Sequence, residues 1–294
     1  MKQAILITAY KNYGNLKELV DFFAKECYVF IHIDAKSKEI LEEQILELNT
    51  VESCFAIRKY AIYWGGYSHL RAVLDLMQMA SEHPDISYVH IITGEDYPVR
   101  AFEEFQRKFL RDDHIYMSVM PPEEFEDAVT VRYRYYNWFI DKNVKNPVLW
   151  QLQRATVILQ KLFGVSRDSI GEFCKIYKGL LYASFPREVF NYIESYLIKH
   201  PEYLKDLRRC QLPEEFFFQT IIMNSSYARQ VAKQDIRYMN WEKGDSSSPI
   251  YLTMEAYGEL QKKRYFFARK FHPIISQELK EHISEQMFAN RVGV

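Results

Sequence analysis

The 294-residue sequence predicts an α/β fold with a mostly parallel central sheet covered on both faces. Short apolar runs alternate with stretches of helical periodicity through the first half of the chain. The runs are apolar almost throughout, as strands buried on both faces must be. Three of the predicted strands end in polar or glycine residues: His32-Ile33-Asp34, Trp64-Gly65-Gly66 and Thr93-Gly94-Glu95-Asp96. Ligands bind at the carboxyl ends of strands in open α/β sheets, so these three ends are the first place to look for a site.

Residues 3–9 read as the first buried strand. Asn15 is placed to cap a helix, with Glu18 as its partner in a capping box. Leu16, Leu19, Val20 and Phe23 then give that helix one apolar face. Residues 27–34 form a second strand, and a polar helix follows near 38–48. Residues 54–63 supply strand material running into Trp64-Gly65-Gly66. Leu70, Val73, Leu74 and Met77 mark the next helical stripe, and residues 88–93 another buried strand. Residues 101–111 look helical, and 114–119 like a strand.

Pro121-Pro122 opens a less regular half. Residues 131–138 alternate as a half-buried strand does. Leu149, Leu152, Thr156, Leu159 and Phe163 mark a helix closed by Gly164. Residues 176–185 are strand-like, interrupted by Lys178-Gly179. Residues 186–198 and 213–224 read as helices, and Gly244–Pro249 as a loop. Leu279, Ile283 and Met287 give a terminal helix one face to dock. Its other face is rich in Glu, which argues against binding a membrane through a basic helix. With no repeat and no linker composition, the expectation is a single domain over 1–294. Its two halves divide near residues 120 and 121.

Composition excludes several functions. Hydrophobic residues make up 48% of the chain, enough for a sizeable core. The net charge of −1 offers no basic field for nucleic acid. No window approaches the ~20 apolar residues of a membrane span, which leaves only peripheral membrane contact open. The opening strand is too short for a signal sequence, and widely spaced cysteines suit a reducing cytoplasm, so a soluble cytoplasmic protein is expected. Cys27, Cys54, Cys174 and Cys210 are widely spaced, and no Cys-x-x-Cys points to zinc or redox chemistry. No P-loop, no Gly-x-Gly-x-x-Gly and no Gly-x-Ser-x-Gly elbow is present.

The stretch Leu212-Pro213-Glu214-Glu215-Phe216-Phe217-Phe218-Gln219-Thr220 carries the chemistry. Proline suits the first helical position, and acids in the first turn complement the helix dipole. On chemistry alone, dipole complementation accounts for them. Taken in order with other motifs, the stretch resembles the Pro-Asp-Glu…Thr motif of the core-2/I-branching β-1,6-N-acetylglucosaminyltransferase and peptide xylosyltransferase family. His32-Ile33-Asp34-Ala35-Lys36, Trp64-Gly65-Gly66-Tyr67-Ser68, Thr93-Gly94-Glu95-Asp96-Tyr97-Pro98 and Phe267-Ala268-Arg269-Lys270-Phe271 match further family motifs in family order. Lys178-Gly179 stands where the family has a Gly-Ser.

The resemblance implies a GT-A-type fold, with residues 1–120 binding nucleotide and 121–294 binding acceptor and carrying catalysis. It implies inverting transfer of a sugar, with GlcNAc favoured, from a UDP-sugar to a carbohydrate hydroxyl. Glu215 would be the base. His32, Asp34 and Gly65 would contact nucleotide, Lys270 the diphosphate, and Arg237 would be a second cation. Trp64, Asp96 and Tyr97 are candidates for the acceptor. No cofactor is expected beyond the UDP-sugar co-substrate. The sequence has no Asp-x-Asp, so no divalent metal is expected either. Two rivals stay open: a metal-dependent transferase using Glu95 and Asp96, and a non-catalytic carbohydrate- or nucleotide-binding protein on the same fold.

Overall fold

A computed structural model describes residues 2–142, 146–241, 248–262 and 265–292. The first half builds β1 (Lys2–Ala9), α1 (Tyr13–Phe23), β2 (Cys27–Ile33), α2 (Glu42–Leu48), β3 (Cys54–Arg58), α3 (Tyr67–Ser81) and β4 (Ile86–Thr93). Then come β5 (Asp96–Pro98), α4 (Phe102–Phe109), β6 (Tyr116–Met117), α5 (Asp127–Arg134) and α6 (Pro147–Leu162). The rest of the chain adds β7 (Ala183–Pro186), α7 (Arg187–Lys199), α8 (Pro201–Leu207), α9 (Glu214–Met223), β8 (Arg237–Met239), α10 (Tyr257–Lys262), β9 (Phe267–Arg269) and α11 (Gln277–Val292).

The main sheet has six strands in the order β3-β2-β1-β4-β7-β6. β1 pairs in parallel with β2 and β4, and β2 with β3, whereas β7 runs antiparallel to both β4 and β6. The sheet is therefore mostly parallel, and β7 from the second half completes it. Side chains alternate across β1 with the two-residue period of a strand. Ala4 and Leu6 face a core shared with α3, α7 and α9, while Ile5 and Ile7 face one shared with α1 and α4. A second sheet, β5-β9-β8, lies beside a smaller core that includes Leu279 and Ile283 of α11. Phe216, Phe217 and Phe218 are fully buried and anchor α9 against the large core. Truncating any one to Ala costs about 3–5 kcal/mol.

Several expectations shift. Asn12, not Asn15, caps α1 by accepting from Asn15 N at 3.2 Å. Asn15 is buried and donates to Gly94 O and Asp96 O, which ties α1 to the loop after β4. The strand from 54 stops at Arg58, and that expected over 114–119 is reduced to Tyr116–Met117. Residues 131–138 form no strand, because 127–134 are α5. The residues of this segment that touch the core are Val129 and Tyr133, four apart, so helical spacing decides over the apparent alternation. Of residues 176–185 only the end joins β7. Of the expected Gly244–Pro249 loop, residues 244–247 lie outside the described residues. Helix α6 begins at Asn146, which accepts from Val148 N, and stops before Gly164 at φ 67°. Its Leu152 and Leu159 are exposed, while Gln153 and Gln160 are buried.

Candidate active site

A cavity of about 570 Å³ opens at the carboxyl ends of the parallel strands. Thr8 to Lys11 line it at the end of β1, Asp34 and Lys36 after β2, and Thr93 to Glu95 at the end of β4. Ile62 to Trp64, His69, Tyr182, Glu214 and Arg269 complete the wall. A more open groove of about 1350 Å³ runs beside α4 and residues 232–236, where side chains of both signs are scattered along its length. It lacks the convergence of strand ends that distinguishes the smaller cavity.

Asp34 holds the loop after β2 in place. Its Oδ1 accepts from Lys36 N at 2.8 Å and from Ile62 N at 3.1 Å. His32 does not line the cavity. It is fully buried, its Nε2 accepts from Tyr60 N at 3.1 Å, and its ring stacks on that of Tyr60. Burial, only partly offset by Asp34 and Asp75, pulls its pKa down to about 4, so the ring is neutral at pH 7.

Trp64 stands exposed at the rim. Gly65 adopts φ 80°, a conformation that favours glycine, and its carbonyl accepts from Leu212 N at 2.7 Å. Leu212 is itself left-handed at φ 53°, immediately before the Pro213-Glu214-Glu215 turn. Such a backbone costs a non-glycine residue roughly 1–2 kcal/mol. Gly66 closely approaches chain rather than an open site: an added Cβ would meet Asp141 Oδ1 at 2.6 Å.

The adjacent acids of α9 diverge. Glu214 lines the cavity, with Oε1 3.5 Å from His69 Nδ1 and a buried Oε2 that has no hydrogen-bond partner. His69 Nε2 lies 3.1 Å from Thr8 Oγ1. Glu215 lies outside the cavity lining. Its Oε2 sits 2.9 Å from Arg132 Nη1 and 3.0 Å from Lys178 Nζ. Burial raises its pKa above the ordinary carboxylate value, against the pull of Lys178 and Arg132.

The cations are arranged differently from the sequence expectation. Arg237 does not reach the cavity. Its guanidinium is buried, donates to Ser184 Oγ at 2.6 Å and packs on Phe267. Ser184 in turn meets His90 at 2.8 Å, and His90 meets Gln3 at 2.9 Å, a polar chain inside the core. The arginine that does line the cavity is Arg269. It packs over the Tyr182 ring at 4.1 Å, and its Nε and Nη1 have no hydrogen-bond partner. Lys11 Nζ lies 3.0 Å from Glu95 Oε1 and donates to Tyr251 OH at 3.1 Å. Burial alone would lower the Lys11 pKa, but its bonds to Tyr10, Tyr251 and Glu95 raise it overall. Lys270 Nζ is 5.8 Å from the same Tyr251 ring. Burial and the neighbouring Arg269 and Lys11 lower its pKa, with Glu95 opposing. Lys11 and Arg269 went unrecognised in the sequence. Lys11 follows the first strand, and Arg269 sits inside a motif whose lysine drew the attention.

Two acceptor candidates are committed elsewhere. Asp96 is buried, accepts from Thr93 N at 2.6 Å and Thr93 Oγ1 at 2.7 Å, and lies 3.7 Å from Arg269. Tyr97 packs on Phe271 and under Lys280, away from the cavity. Glu95 and Asp96 therefore engage different cations, Lys11 and Arg269. Among the described residues, the group of three side chains close enough to share a metal is Asp112, Asp113 and His114, at the other groove.

The cavity, its cations and its acids can hold an anionic ligand and move a proton. A family model for the Core-2/I-Branching enzyme matches residues 4–262. The xylosyltransferase of Drosophila melanogaster is 24% identical over 90% of this chain and 31% of its own length. The xylosyltransferases of Caenorhabditis briggsae and Ciona intestinalis are each 21% identical, over 88% and 91% of this chain and 33% and 32% of their own. The chain thus spans about a third of the curated relatives it matches. The mostly parallel six-stranded sheet is that of a GT-A-like glycosyltransferase fold, and the chain belongs to the Core-2/I-branching enzyme family.

Proposed function

We propose that this chain transfers a sugar from a UDP-sugar to a carbohydrate hydroxyl, with inversion at the anomeric carbon. The observation that carries it is Arg269 in the cavity wall, its Nε without a hydrogen-bond partner, in a cluster of cations with Lys11 and Lys270. A diphosphate needs such an array when it departs, and preorganised donors act most strongly where charge develops. Glu215 takes the acceptor proton as the acceptor oxygen bonds to C1. The C1–O bond to UDP breaks, and UDP leaves with the electron pair. Asp34 belongs to the nucleotide side of the site, and Trp64 offers its face to a sugar at the rim.

The register of the Pro213-Glu214-Glu215 turn with the family motif supports Glu215 as the base, and its raised pKa suits that role. One observation favours Glu214 instead, because Glu214 lines the cavity with a buried oxygen that has no partner. Diphosphate charge is met by side-chain cations rather than a divalent ion, a reading supported by Glu95 already being paired with Lys11. The relatives named xylosyltransferases bring UDP-xylose forward as donor, with UDP-GlcNAc as the alternative. A cytoplasmic location is part of the proposal, and the unpaired state of all four cysteines is consistent with it.

The test is UDP release from a panel of UDP-xylose, UDP-GlcNAc, UDP-glucose and UDP-galactose. Slow hydrolysis of one of the first two is expected, accelerated by a carbohydrate acceptor. No turnover of any UDP-sugar and no UDP binding would remove the proposal and favour a binding protein on this fold.

A further inference from the structure

Helix α6 is amphipathic in the wrong direction for a helix packed on a core. Its buried positions are Gln153 and Gln160, each 4% exposed, while Ile158 is 62%, Leu162 75% and Phe163 74% exposed. The glutamines dock the helix by polar bonds. Gln153 Nε2 donates to Asn137 Oδ1 at 2.8 Å, and Gln160 Oε1 accepts from Tyr136 N at 2.8 Å. At 100° per residue, Val148, Leu152, Ile158, Leu159, Leu162 and Phe163 fall on one outward arc. An exposed apolar stripe of this length marks an interaction surface.

Charge selects the occupant. Between Asp141 and Asp168 the sequence contains no acid, although the whole chain carries a net charge of −1. The same interval holds Lys142, Lys145, Arg154, Lys161 and Arg167. Arg167 is buried and donates to backbone carbonyls and Cys210. Arg154 and Lys161 are exposed, and seven residues apart they run along one flank of the apolar arc. Trp150 is exposed on that same flank. An apolar arc with leucine and phenylalanine, edged by basic residues and tryptophan and free of acid, fits the interface of an anionic bilayer. Among the described residues no helix is long and apolar enough to cross a membrane, so the contact would be in-plane.

We propose that α6 docks this chain on an anionic membrane surface. The docked helix is coupled to the cavity rim through one segment. Residues 136–139 bond to Gln153 and Gln160, and Asp141 beyond them accepts from Tyr67 N at the start of α3, next to Gly66. The surface does not depend on which sugar is transferred, or on whether transfer occurs.

The experiment is co-sedimentation of the purified chain with large vesicles of phosphatidylcholine alone, and of phosphatidylcholine with 30% phosphatidylglycerol (about a third anionic lipid). Wild type is compared with Leu159→Asp/Leu162→Asp and with Arg154→Gln/Lys161→Gln. All four side chains are exposed, so thermal unfolding of the variants should match wild type. Wild type should bind the anionic vesicles, and the aspartate pair should weaken binding roughly tenfold or more. The glutamine pair should weaken binding to anionic vesicles and remove its salt dependence. Failure of wild type to bind anionic vesicles would overturn the proposal, as would unchanged binding by the aspartate variant. A wild-type dimer made monomeric by the aspartate pair, without vesicle binding, would assign the face to a second copy of this chain.

Discussion

Glu215 Oε2 lies 3.0 Å from Lys178 Nζ, whereas the adjacent Glu214 meets His69 instead. The first pair couples the proposed base to a cation. Burial raises the Glu215 pKa, and Lys178 and Arg132 hold it lower than burial alone would. A base must be ionised, so kcat/KM should fall at acid pH with a limb above the ordinary range of a glutamate. Removing a neighbouring positive charge disfavours the carboxylate. In Lys178→Met the acid limb should therefore move to higher pH, which a pH profile of kcat/KM checks.

Lys11 occupies Glu95, so transfer should persist in excess EDTA. Arg269→Ala and Lys270→Ala should each weaken UDP binding about 10- to 100-fold, the loss of a charge-assisted bond of roughly 1.5–3 kcal/mol. Titration calorimetry with UDP, with and without EDTA, reads both. Activity lost in EDTA and restored by Mn²⁺ would give Glu95 or Asp96 a metal instead.

Arg237 should behave as a core residue. Arg237→Ala removes the donor to Ser184 Oγ inside the core, while His90 keeps Ser184 and Gln3, and should cost roughly 1–3 kcal/mol of stability, measured by urea unfolding. UDP affinity of the folded fraction should be unchanged.

His32 should make stability depend on pH. Its folded pKa of about 4 lies below the ordinary value, so between the two the unfolded chain binds a proton that the folded chain does not. Stability is fully present above about pH 6.5, falls as pH drops from there, and levels off below about 4. His90, buried and neutral, adds to the same slope. Urea midpoints at pH 7 and pH 5 should differ less in His32→Gln, whose amide oxygen can still accept from Tyr60 N.

The parallel sheet was legible because β1, β2 and β4 are buried on both faces and carry unbroken apolar runs. Where partners decide structure, sequence said less. Residues 131–138 alternate on paper, yet 127–134 form a helix whose Val129 and Tyr133 touch the core as helix neighbours. Asn15 looked like a cap because its bonds to the loop after β4 are long-range. The strand-end location of the cavity was also readable, including Asp34, Trp64 and Glu95 in its wall. The choice between Arg237 and Arg269 was not, because only the packing of β8 and β9 shows which guanidinium is walled in by Ser184 and Phe267. The divergence of Glu214 and Glu215 was equally hidden, since neighbours on a helix differ by about 100° in direction.

That divergence gives the most direct test. Single-turnover transfer should be measured in Glu215→Gln and Glu214→Gln, with UDP affinity determined for each. With Glu215 as the base, its glutamine variant should lose roughly 10²–10⁴-fold in rate at nearly unchanged UDP affinity, and Glu214→Gln should be milder. Near-normal turnover in Glu215→Gln, with the rate lost in Glu214→Gln, would contradict this and move the base to the cavity-lining acid beside His69.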